Sequence, residues 1–151
     1  MFEKKFHMKT KIYFGIFLVS LFIHATSVLA QTASLEVKVN NIKSKKGSIR
    51  VGLFNTEKDF LKNAVEGKVV KASGDEIMVV FENLQPGDYA LSVIHDENEN
   101  GKLDSNVFGI PKEGFAFGNN AMGSFGPPSF EKAKIAIGDQ VVRQVINLKY
   151  M

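Results

Sequence analysis

Apolar residues recur at every second position over much of the chain. Leu35, Val37 and Val39 alternate with Glu36, Lys38 and Asn40, as expected of a strand with one buried face. Ile49, Val51 and Leu53 repeat the pattern after the polar run Lys43–Gly47, which reads as a solvated hairpin tip. Lys68–Ala72 and Glu76–Phe81 flank Ser73-Gly74-Asp75 and read as a further hairpin, and Asp88–His95 places Tyr89, Leu91 and Val93 on one side. Lys132–Ile137 and Val141–Leu148, around Gly138-Asp139, read as a closing hairpin. One segment breaks the period of two. In Asn55–Leu61, cap-forming residues, an acidic first turn and then Phe60-Leu61 predict one or two helical turns. Seven short strands with turn signals between them predict an all-β fold, a single antiparallel β-sandwich with one short helix. No strand alternates with a long helix, and phosphate-cradling glycine loops are missing.

The first thirty residues follow another pattern. Lysines 4, 5, 9 and 11 precede a mostly apolar run from Ile12 to Leu29, and Val28-Leu29-Ala30 sets small residues at −3 and −1 before Gln31. This predicts a secretory signal peptide over residues 1–30, cleaved to leave a β-sandwich domain over residues 31–151. The alternative is an uncleaved anchor, which Gly15, Ser20, His24, Thr26 and Ser27 weaken. The whole chain has a formal charge of +3, but residues 31–151 carry 15 basic and 15 acidic side chains. The basic excess leaves with the signal, so nucleic acid is not an expected partner, and neither is stable membrane insertion after cleavage. The expected location is periplasmic or extracellular. The chain has no cysteine, which removes disulfides, thiol nucleophiles and Cys-ligated zinc. A domain of this size can fold on its hydrophobic core alone.

Asp96-Glu97-Asn98-Glu99-Asn100-Gly101-Lys102-Leu103-Asp104 carries the most suggestive chemistry. Oxygen-bearing side chains stand at positions 1, 3, 5 and 9, with glycine at 6 for a sharp turn. A hard cation needs this arrangement, and calcium suits a flexible oxygen-only loop. The ligands would be Asp96, Asn98, Asn100, the Lys102 carbonyl and Asp104, with Glu113 closing the shell. Position 12 of an EF-hand is a bidentate Glu, whereas here it is Val107. The competing reading is a metal-free loop whose Asp and Asn side chains bond their own backbone amides.

Phe108–Phe130 carries five Phe and five Gly in 23 residues without either period. Loops this long are functional or disordered, and the aromatic content argues against disorder. The phenylalanines either form a satellite core over the sandwich or face outward as a platform for a sugar, peptide or apolar ligand. On the second reading the contact residues are His95, Phe115, Phe117, Asn119, Asn120 and Phe125.

Two resemblances follow. Phe81-x-x-Leu84-x-Pro86-Gly87-x-Tyr89-x-Leu91-x-Val93 resembles a hairpin of prealbumin-like, carboxypeptidase-regulatory-like sandwich domains. A longer succession, taken with the Gly47–Phe54 strand and the Pro-Gly-Tyr turn, covers nearly all of residues 31–151. It runs from His95-Asp96-x-Asn98-x-Asn100-Gly101-x-Leu103-Asp104 through Asn106, Phe108-Gly109-x-Pro111-x-Glu113-Gly114, Phe117 and Asn119-Asn120 to Gly126-Pro127-Pro128-x-Phe130-x-x-Ala133. It resembles the bacterial family catalogued as domain of unknown function 2141. The resemblance implies an exported, single-domain, immunoglobulin- or prealbumin-like sandwich and no assigned activity. Many members of the family have Phe-Ser before the Asn pair; this chain has Phe117-Gly118.

An enzyme is not expected. His95 is the one histidine outside residues 1–30, and successive strand residues point to opposite faces, so His95 and Asp96 make no dyad. The reading is therefore a non-catalytic binding or envelope-accessory module with a protein or small-ligand partner. The alternatives are a carbohydrate or small-ligand binder using residues 108–130 and, more remotely, a hydrolase using carboxylates among Glu97, Glu99, Asp104 and Glu113.

Overall fold

A computed structural model describes residues 33–151; the signal-peptide reading falls on residues 1–30, outside the described residues. Eight strands occur in the order β1 (Ala33–Asn40), β2 (Ser48–Phe54), β3 (Glu66–Lys71), β4 (Ile77–Leu84), β5 (Gly87–Asp96), β6 (Gly114–Phe117), β7 (Lys134–Ile137) and β8 (Val142–Asn147). A short helix, α1 (Phe130–Ala133), precedes β7. The strands form a sandwich of a three-stranded sheet, β4-β1-β8, and a five-stranded sheet, β3-β2-β5-β6 with β7 also on β5.

The alternation read from β1 is realised residue by residue. Leu35, Val37 and Val39 are fully buried while their neighbours are half-buried. Each such side chain contributes about 1.5–3 kcal/mol of burial. They meet Ile49, Val51 and Leu53 of β2 and Tyr89, Leu91 and Val93 of β5 in one core between the sheets. Tyr89 also donates its hydroxyl to the Gln85 carbonyl at 3.1 Å, closing the bend that enters β5 as a tyrosine corner does.

Three expected hairpins are instead crossings between the sheets. β1 pairs with β4 and β8, whereas β2 pairs with β3 and β5, so residues 43–47 pass from one sheet to the other. The Ser73-Gly74-Asp75 and Gly138-Asp139 turns do the same, and the Pro86-Gly87 bend also changes sheet. Turn chemistry states that the chain bends, not which neighbour it then joins. β8 runs parallel to β1, an exception in an otherwise antiparallel fold.

Residues 55–62 form bends and turns rather than the expected helix. Asp59 accepts from the Thr56 hydroxyl and the Asn63 amide, fixing the turn. The helix occurs at α1. The eighth strand, β6, was hidden because all four of its residues are buried. Ala116 enters the main core, while Phe115 and Phe117 enter a second cluster with Ala90, Phe130 and Ala133. A strand covered on both faces shows no alternation.

Register places four segments at one end of the sandwich. Ser48 opposes Asp96, His95 opposes Gly114, and Asn40 lies beside Asn147. Ser48 also opposes Lys71 and Val39 opposes Ile77, so residues 41–47, 72–76, 97–113 and 148–151 gather there. Among the described residues, no helix is long and apolar enough to cross a membrane.

Candidate functional site

The loop end is organised around three buried polar side chains, His95, Asp96 and Glu113. His95 ends the alternation of β5 fully buried, with Nε2 at 2.9 Å from the Lys46 carbonyl and Nδ1 at 2.7 Å from the Tyr150 hydroxyl. A carbonyl only accepts, so Nε2 carries the hydrogen, and in the neutral ring Nδ1 then accepts from Tyr150. The Tyr150 oxygen in turn accepts from the Lys43 N–H at 3.1 Å. The chain after β8 is thus tied to β5 and to residues 43–46. Two backbone bonds between Phe115 and Lys149 extend the attachment. Burial, followed by the negative charge of Glu97, pushes the Tyr150 phenol above its ordinary pKa, against the lowering effect of the Lys43 N–H.

Gly47 makes this junction possible. Its φ is +65°, and a Cβ there would overlap the Asp96 carbonyl, so the approach of residues 43–47 to the end of β5 requires glycine.

Asp96 faces the loop. Its Oδ1 accepts the Asn100 N–H at 3.0 Å and its Oδ2 the Gly101 N–H at 2.8 Å, with Arg50 Nη1 at 3.5 Å. Two amides and a guanidinium compensate a fully buried carboxylate. Glu113 does the same from the far side, Oε1 accepting from the Glu97 N–H at 3.0 Å and Oε2 from the Asp104 N–H at 2.9 Å. The two carboxylates therefore clamp both ends of the loop.

Between them, Asn98 Nδ2 lies 2.7 Å from Asp104 Oδ2, and Asn100 Nδ2 lies 3.0 Å from both Asp104 oxygens. These amide bonds, Asn100 first, hold the Asp104 carboxyl below the ordinary carboxylate pKa, aided by Lys112 and Lys102. Asn98 and Asn100 also accept from the N–H groups of Asn100 and Lys102, as Asx turns do. Asp96, Asn98, Asn100 and Asp104 are thus brought together. Lys102 contributes its N–H to that network, and both Glu113 oxygens are engaged by amides. Among the described residues, no three side chains of the His, Asp and Glu types converge as a metal site.

The loop continues into a small hairpin that sequence reasoning missed. Ser105 bridges Pro111, Lys112 N–H bonds to Asp104 O at 2.8 Å, and Asn106 N–H bonds to Ile110 O at 2.9 Å. Gly109, at φ +76°, completes a tight turn from Asn106, and Asn106 Oδ1 accepts from both Phe108 and Ile110. Asn at the first position and Gly at the fourth are turn signals, but the residues between them are Val107 and Phe108. These are 94% and 84% exposed, and Ile110 beyond is 47% exposed.

The other residues considered as ligand contacts have different places. Phe115 and Phe117 are buried in the second cluster with Phe130, against Phe60 and Leu103; Phe125 is fully exposed. Asn119 and Asn120 both have positive φ, and their side chains bond backbone. Asn119 Nδ2 reaches Lys134 O at 2.8 Å, while Asn120 donates to Val145 O and accepts from Asn147 N–H at 2.9 and 2.8 Å. Asn120 thereby satisfies the free edge of β8 as a neighbouring strand would. His95 engages Tyr150 and Lys46 rather than Asp96. β6 divides residues 108–130, leaving Phe108 at the loop end and Phe115, Phe117 and Phe130 packed on Ala90 of β5, with Leu103 against that cluster.

Residues 37–144 match the model of a bacterial family described as "Uncharacterized protein conserved in bacteria (DUF2141)", and the chain belongs to that family. No curated protein and no solved structure matches it.

Proposed function

We propose that this member of the DUF2141 family is an exported, non-catalytic binding module that docks through the loop end of its sandwich. One observation carries the reading: Val107 and Phe108 are exposed at the tip of a hairpin whose amides are bonded on both sides. Large apolar side chains fixed in water do nothing for the fold, and rigid presentation reduces the entropy lost on binding. The polar groups beneath the tip support a non-catalytic role, because His95, Asp96 and Glu113 are all engaged in holding backbone or Tyr150. Export rests on the Lys-rich and then apolar composition of residues 1–30.

The test is a tip variant. Phe108→Asp should leave the melting temperature unchanged and abolish retention of the purified protein on isolated bacterial envelope fractions. Equal retention of variant and parent would remove the tip from the binding surface.

A calcium-stabilised form of the acidic loop is a second reading, favoured by the convergence of Asn98 and Asn100 on Asp104. Turning both amides over would present their oxygens beside the Asp104 carboxylate, an arrangement that a hard cation stabilises. Calorimetric titration should then show binding in the range of about 10⁻⁴–10⁻³ M typical of extracellular modules; no heat at millimolar calcium would eliminate this form.

A further inference from the structure

The loop end carries two complementary halves. One is the apolar tip, Val107, Phe108 and Ile110, on a loop whose Glu99 and Asp104 meet no Lys, Arg or His within 4.0 Å among the described residues. The other is an open depression of about 540 Å³ lined by Ile42, Lys43, Leu148, Lys149, Tyr150 and Met151. Its floor is apolar, with Ile42 and Leu148 buried. Its rim is basic: Lys43 and Lys149, with Lys45 and Lys46 nearby in sequence, meet no carboxylate within 4.0 Å among the described residues. Lys43 lies over the Tyr150 ring, 4.5 Å from its centroid, so its charge is held at the mouth.

We propose that the occupant of this end is a second copy of the chain, related by a two-fold axis, with each tip seated in the other copy's depression. The inference rests on reading the loop end as a docking surface and names its partner. A two-fold contact requires one patch to carry both a feature and its complement, and this end does so twice. The same end holds an apolar tip and an apolar depression, and carboxylates without a salt-bridge partner together with lysines without one. Turning one copy over the other brings acidic loop onto basic rim in both directions. Such opposed charges steer the encounter and fix register, while the desolvated Phe108 supplies affinity. An end-on contact of this kind falls at the small end of interface sizes, so the dimer is transient and weakened by salt.

Sedimentation velocity across a concentration series, at low and high NaCl, tests the proposal. The protein should show a concentration-dependent dimer whose dissociation constant rises with salt. Phe108→Asp should weaken it by about tenfold or more without altering the melting temperature. Glu99→Lys and Lys149→Glu should each self-associate poorly, and the two variants mixed should recover more dimer than either alone. A protein that stays monomeric up to about 1 mM, or a dimer indifferent to Phe108→Asp, would overturn the inference. So would a monomer that floats with phosphatidylglycerol vesicles in a Phe108-dependent way, which would assign the tip to lipid. A monomer whose envelope retention still needs Phe108 would defeat the second-copy inference alone; envelope retention indifferent to Phe108 would defeat the docking reading as well.

Discussion

The Tyr150 hydroxyl and His95 Nδ1 stand 2.7 Å apart, joining the segment after the last strand to the buried end of β5. Because the Lys46 carbonyl fixes the other ring nitrogen as a donor, the pair has one consistent polarity. Tyr150→Phe removes that bond and the one from the Lys43 N–H and should cost about 1–2 kcal/mol. His95→Ala leaves Tyr150 and the Lys46 carbonyl without their partner and opens a void, so it should cost about 2–4 kcal/mol. Chemical denaturation of both variants checks the ranking; equal losses would contradict it.

The Tyr150 ring also closes over Gly114, where a Cβ would lie 2.5 Å from the ring. Gly114→Ala should therefore destabilise by about 1–3 kcal/mol through overpacking. The same substitution in a Tyr150→Ala background should cost clearly less, since the obstruction is gone. A double-mutant cycle measures the difference, and additive losses would place the strain elsewhere.

Glu113 holds two backbone amides with two oxygens. Glu113→Gln keeps one acceptor and turns an NH₂ group toward the other N–H, at a cost of about 1–3 kcal/mol. Backbone exchange at Glu97 or Asp104 should rise in the variant while exchange in β2 and β5 shifts only by the global loss. Calcium at millimolar concentration should not restore it if the clamp is a hydrogen-bond device.

Much of the sandwich was legible in the sequence because a strand with one wet face alternates. Leu35-Val37-Val39 and Tyr89-Leu91-Val93 sit where period two places them. The pairings were not legible, since Ser73-Gly74-Asp75 and Gly138-Asp139 encode bends while the sheet each strand joins depends on distant neighbours. The acidic loop could be located from its spacing, but the double engagement of Asp96 and Glu113 required the fold. Tyr150 could not be found from any local pattern, lying 55 positions from its histidine. Val107 and Phe108 were overlooked for the opposite reason. Asn106 and Gly109 mark a turn, and apolar residues at its centre are what a folding argument alone does not expect.

The Asp104 carboxyl gives the loop a pH dependence of definite sign. Its pKa is lowered by Asn100 and Asn98 in the folded protein, so its stabilising contribution is present above the unfolded Asp value of about 3.9. It is lost as pH falls from there through the lowered folded value. Asn100→Ala should shrink that contribution and raise the Asp104 pKa toward the unfolded value, as read by carboxyl NMR titration. An unchanged titration would exclude the Asn100 bonds as the cause.

A loop end held rigid so as to present Val107 and Phe108 should resist backbone exchange. Native-state amide hydrogen exchange tests it most directly, read at Glu97, Asn100, Gly101, Asp104, Phe108 and Ile110, whose N–H groups are bonded to Glu113, Asp96 or Asn106. Protection at these six amides should stand well above that of exposed Val107, and Phe108→Asp should leave it intact. Exchange at the rate of an unstructured peptide at Phe108 and Ile110 would contradict it.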